Sequence, residues 1–195
     1  MITTFHNIER HPLQPLLPKN AQVLMLGSFP PPKDRWCMDF FYPNLQNDMW
    51  RIMGQVFFGN KQHFCTTDKR FKHEEILAFC QSQGIAIFDT AQAVIRKQGN
   101  ASDEHLVIVE PTDIGALLQQ LPLCHDICCT GGKAAEALAD RLHIATPNVG
   151  EYVETTYVDR TIRFWRMPSS SRAYPLSLDK KAAAYQHMFT EIGMI

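Results

Sequence analysis

Most of the features that would announce a functional class are missing from this sequence. Its 195 residues carry 19 basic and 20 acidic side chains, a net charge of −1. No global positive field marks a nucleic-acid binder, so any such surface has to be a local patch. No apolar run approaches the roughly 18 residues needed to cross a bilayer, and the opening MITTFHNIERHP lacks the basic-then-apolar pattern of an export signal. Six cysteines are present without a CxxC pair or a regular framework, which argues against a disulfide scaffold and for a reducing cytoplasm. Cys124, Cys128 and Cys129 in CHDICC read as buried free thiols rather than a metal or cluster site. No internal repeat or low-complexity linker divides the chain, and one domain over residues 1–195 is expected.

What is present alternates. Ala21 to Leu26 is an apolar run ended by Gly27, IAIFD ends at Asp89, and DICCT leads through Gly131 and Gly132 into KAAEALADRL. Between the first two, NDMWRIMGQVFF puts Met49, Trp50, Met53, Val56 and Phe57 on one helical stripe, with Asn47 at a plausible N-cap. His73 to Ser82 reads as a helix stopped by Gly84, and EPTDIGALLQQL carries helix signals from Glu110. VETTYVDRTIRFWRM predicts a hairpin turning at Val158 to Arg160, or at least one good strand from Thr161 to Met167, and Leu178 to about Ile192 closes as an amphipathic helix. Alternating strands and helices predict an α/β fold of three αβα layers around a mostly parallel sheet of four to five strands. Sites in such sheets form at the carboxyl ends of the strands, and four unusual segments fall there: GSFPPP, FDTAQ, TGGK and MPSSSRAY.

Each segment has a chemical and a structural reading. GSFPPP has too few glycines for a dinucleotide fingerprint and no P-loop lysine, so Pro30, Pro31 and Pro32 make a stiff wall or a rigid connection. TGGK puts Lys133 at a helix N-terminus, where an anion is favoured, yet Ile127 stands where a P-loop would need its first glycine. Asp89 is a candidate base, water ligand or turn-fixing residue. Ser169 to Arg172 supplies small hydroxyl donors and one forked cation suited to phosphate oxygens, or a solvated loop. The pair Lys180 and Lys181 sits against the dipole of its helix, a position that nearby phosphates would compensate and that a solvated face also explains. In FFYPNLQNDMW, Phe40, Phe41 and Tyr42 offer a stacking face, Asn44 or Asn47 offers an amide to a base edge or a water, and Trp50 reads as core.

In this order the segments resemble the uracil-DNA glycosylase superfamily, most closely its hypoxanthine-DNA (deoxyinosine) glycosylase-like branch, near the mismatch-specific uracil/thymine glycosylases. LGSFP matches the first motif, YPN with NDMW the branch's Asn-x-aromatic-Trp segment, GIAIFDT through EPTDIGALL its middle, TGGKAAE a strand-to-helix element, and MPSSSRAYPLSLDKKAAAY the second motif. The resemblance runs from about Val23 to Phe189. It implies a glycosylase-like fold and hydrolysis of the N-glycosidic bond of a deaminated base, hypoxanthine or uracil, flipped out of single- or double-stranded DNA. It implies a monomeric, monofunctional base-excision repair enzyme with no cofactor, no metal and no membrane partner. Asn47 and Ser28 are then the catalytic candidates, Phe29, Phe41, Tyr42 and Asn44 the base-binding ones, and Lys133, Ser169, Ser170, Ser171 and Arg172 the DNA-binding ones.

Departures from the pattern keep a non-catalytic DNA lesion or structure binder as the alternative. Phe29 stands where mismatch-specific enzymes carry a water-positioning asparagine, and Met167 where better-known uracil enzymes carry a histidine. Ser171 and Arg172 replace an intercalating apolar residue, and the iron-sulfur cysteines of some branches have no counterpart. A third reading is a small-molecule α/β enzyme using TGGK for phosphate.

Overall fold

The structure is a computed structural model that describes residues 8–97 and 106–195. Its centre is a five-stranded sheet built from β2 (Val23–Gly27), β3 (Ile85–Asp89), β6 (Asp126–Thr130), β7 (Glu151–Tyr157) and β8 (Arg160–Met167), in the order β3-β2-β6-β8-β7. The sheet is mixed. The first four strands in that order are parallel and β7 runs antiparallel on the edge. The sequence shows why: VLMLG, IAIFD and DICCT are buried along their whole length, as parallel strands must be, whereas EYVETTY alternates. The expected hairpin turns at Val158 and Asp159, whose φ of 52° and 56° fit the two-residue turn that matches strand twist.

Helix α1 (Met49–Phe58) packs against α5 (Leu178–Ile192), α2 (His73–Gln83) against β3, and α4 (Gly132–Leu142) against β6. The α1 stripe buries Met49, Trp50, Ile52 and Met53. Trp50 satisfies its one polar atom by donating from Nε1 to the Phe41 carbonyl at 3.0 Å, which fixes the aromatic loop onto the helix.

A second sheet, absent from the sequence-based expectation, has the order β1-β4-β5 and is antiparallel: β1 (Ile8–Arg10), β4 (Ala91–Arg96) and β5 (Leu106–Pro111). Glu110 and Pro111 therefore end a strand, and the helix expected from Glu110 begins only at Ile114, as α3 (Ile114–Gln119). Its start is set by Asp113, whose Oδ1 accepts from the Ala116 N–H at 3.1 Å. The small sheet matters for position. Asp89 leads through Thr90 directly into β4, and the His11 N–H donates to the Gln92 carbonyl at 2.8 Å, so the residue after β1 is delivered behind the end of β3.

Candidate active site

The carboxyl ends of β2, β3 and β6 form the floor of a cleft of about 850 Å³. Gly27 and Asp89 are partners across adjacent parallel strands, and a Cβ on Gly27 would overlap Asp89 Oδ1. Glycine is what lets the carboxylate lean over β2. The Asp89 side chain is 9% exposed, and its Oδ2 lies 2.8 Å from Nε2 of His11, whose ring is 1% exposed. Beside it, Tyr42 holds a left-handed φ of 50°, which aims its hydroxyl at Thr130 Oγ1, 2.8 Å away. Burial, reinforced by the Asp89 charge, pushes the Tyr42 phenol well above its ordinary range, so it serves as a neutral hydroxyl.

The wall is a joint between two loops distant in sequence. Asn47 and Ser171 form an isolated antiparallel bridge: the Asp48 N–H donates to the Ser170 carbonyl at 2.8 Å and the Arg172 N–H to the Gln46 carbonyl at 3.0 Å. Side chains lock it. Asp48 Oδ1 accepts from Arg172 Nε at 2.9 Å and from Arg51 Nη1 at 3.4 Å, and Lys181 Nζ donates to the Ser171 carbonyl at 2.7 Å. The Asn47 side chain is itself a cap, its Oδ1 accepting from the Met49 N–H at 2.9 Å. A second Oδ1 lone pair and the two Nδ2 donors remain for a water or ligand.

Most of the residues singled out in the sequence meet here. Asn47, Ser28, Phe29, Phe41, Tyr42, Asn44 and the run from Ser169 to Arg172 all line the cleft. Phe29 also packs with Ala91, Val94 and Leu106, so only part of its ring is offered. Asn44 Oδ1 is spent on the Gln46 N–H, at 2.9 Å, leaving its amide donors. Phe40 does not reach the cleft and packs beside Phe41 and Trp50.

Lys133 stands in the first turn of α4 and does not line the cleft. One expectation is corrected. Lys181 is no surface cation: it is 1% exposed, and burial lowers its pKa. Missed altogether were His11 and Asp48. His11 sits in HPLQP, where prolines erase any periodicity, and an aspartate at a helix start looks like a cap.

No family model matches the chain. Its sequence is 27% identical over 121 residues to a protein described as hypoxanthine DNA glycosylase from Methanosarcina acetivorans, a match covering 62% of this chain and 70% of that protein. Its fold is similar to a solution NMR structure of a candidate uracil DNA glycosylase from the same organism, with a TM-score of 0.64 and 22% identity over 96% of this chain and 99% of the other. The sequence match is thus to a protein described as a hypoxanthine DNA glycosylase, and the structural match shows that this chain shares the fold of the second protein.

Proposed function

We propose that this protein is a monofunctional DNA glycosylase that hydrolyses the N-glycosidic bond of a deaminated base, hypoxanthine or uracil, everted from DNA. The observation that carries the reading is the Asn47–Ser171 bridge, which closes the loops after β2 and β8 over one cleft. Everting a base costs a few kcal/mol, less for a mismatched one. Phe41 and Tyr42 give the base an aromatic surface, and Asn47 orients the attacking water toward C1′. Arg172 uses Nε on Asp48, which leaves its Nη donors for a phosphate, with the Ser169 to Ser171 hydroxyls alongside. The setting this implies is base-excision repair in the cytoplasm.

The test is a panel of oligonucleotides, each with one altered base, incubated with the protein and treated with alkali to cut abasic sites. Strand breaks are expected at deoxyinosine or deoxyuridine. Asn47→Ala is expected to lose cleavage while keeping salt-sensitive binding. Binding without base release on any substrate would assign the alternative, a lesion binder.

A further inference from the structure

Water attack at C1′ and departure of a base both involve protons, and the proposed hydrolysis assigns none of them. Asn47 orients but cannot take or give a proton. Among the described residues lining the cleft, the titratable side chains are Arg35, Tyr42, Asp89, Arg172 and Tyr174, and Asp89 is the only carboxylate. Guanidinium groups do not exchange protons in the working range, and phenols, here Tyr42 and Tyr174, are far weaker acids than a carboxyl group. Asp89 therefore stands out, and it does not stand alone. Its Oδ2 is bonded to His11 Nε2 at 2.8 Å, while Oδ1 extends over Gly27 at the cleft floor.

The other ring nitrogen of His11 has a backbone donor and a backbone acceptor within reach. Nδ1 lies 3.1 Å from the Leu13 N–H and 3.0 Å from the Leu13 carbonyl. With its proton on Nε2 the neutral ring accepts from that N–H and donates to Asp89; with its proton on Nδ1 it donates to the carbonyl and accepts from a protonated Asp89. Charged, it donates to the carbonyl and to Asp89 at once. Phe88, Phe29 and Phe41 enclose it, at centroid separations of 4.6, 5.3 and 6.2 Å, and shield the pair from bulk water.

We infer that Asp89 is the catalytic acid of the cleft, delivering a proton held by the Asp89–His11 pair to a ring nitrogen of a departing purine, with His11 as its positioning residue. This deepens the glycosylase reading and rests on it. The step balances. The C1′–N9 bond breaks with its electron pair passing to the base, and the pair's proton moves from Asp89 to N7. Water forms the new bond to C1′, and the proton it sheds restores the pair. Purines carry that basic imidazole nitrogen and uracil does not, so the assignment names hypoxanthine as the base the floor is made for.

The test measures single-turnover base release from duplexes containing deoxyinosine, 7-deaza-deoxyinosine or deoxyuridine, by the parent, Asp89→Asn and His11→Asn. General acid catalysis is commonly worth about 100-fold or more. Asp89→Asn should lose about 100-fold on deoxyinosine and only a few-fold on deoxyuridine, where the parent releases uracil. The 7-deaza substrate should slow the parent comparably and slow Asp89→Asn no further. His11→Asn should show the same purine-selective loss, with duplex binding and circular dichroism unchanged in both variants. Equal losses on both bases, no loss on deoxyinosine, or parent activity confined to uracil would overturn the assignment and leave the glycosylase reading standing. A parent that releases no base from any duplex would overturn both.

Discussion

Arg172 Nε donates to Asp48 Oδ1 at 2.9 Å across 124 residues of sequence, tying the loop after β8 to the mouth of α1. The Asp48 side chain is 9% exposed and that of Arg172 is 44% exposed, so the two ends of this contact are unequal. Removing the carboxylate takes a partner from both arginines, although Arg51 Nη1 keeps the Leu45 and Asn47 carbonyls, whereas removing Arg172 leaves Asp48 with Arg51. Asp48→Ala is expected to cost about 2 kcal/mol of stability, within the range for hydrogen bonds to charged groups. Arg172→Ala should cost under about 1 kcal/mol, because the exposed guanidinium is screened by solvent. Urea unfolding of the two variants checks the order.

Gly27 faces Asp89 with no room for a methyl group. Gly27→Ala should push the carboxylate off the floor and lower stability by about 2 kcal/mol, the usual scale of overpacking. The same change made in an Asp89→Ala background should be nearly silent. A thermodynamic cycle over the four proteins measures the coupling.

Lys181 buries its side chain and donates from Nζ to the Ser171 carbonyl at 2.7 Å. Lys181→Met keeps the volume and removes both the desolvation cost and the bond, so global stability should move by less than about 1 kcal/mol. The loop should nevertheless loosen. Faster hydrogen exchange at the Arg172 amide, which donates to Gln46, together with weaker DNA binding, is the expected signature.

Thiol chemistry should follow burial. Burial pushes Cys80 and Cys124 up to about 12 and Cys128 and Cys129 well above the ordinary thiol value. Alkylation of the native protein at about pH 8, near the ordinary thiol range, should modify at most Cys37 and Cys65, the two half-buried thiols. All six should react in denaturant. The folded thiols bind their protons more tightly than the unfolded ones, so this contribution to stability is complete below the ordinary thiol value. It is lost as pH rises through the folded values. Unfolding midpoints measured across the alkaline range check the sign.

How much of this could be read beforehand depends on the range of the interactions. VLMLG, IAIFD and DICCT were legible because a strand buried on both faces is an apolar run, and α1 and α5 because a stripe repeats along a few turns. The hairpin at Val158 and Asp159 was legible for the same local reason. The loops of the cleft betrayed themselves by composition, since prolines, serines and clustered aromatics make poor strands and helices. The small sheet was not legible: Ile8 pairs with Ile95, and nothing near either residue names the other.

Chemistry at the cleft floor lay beyond reach for that reason. His11 and Asp89 are 78 residues apart and Lys181 holds a carbonyl ten residues upstream on another element, so neither leaves a periodic trace. From the residues alone came the kinds of element, their order along the chain and the loops that carry polar side chains, because backbone propensity and side-chain spacing act over a few neighbours. Which of those side chains face one another, which cation is buried and which carboxylate acquires a histidine were settled by packing, where a single hydrogen bond closes a distance that no local pattern can encode.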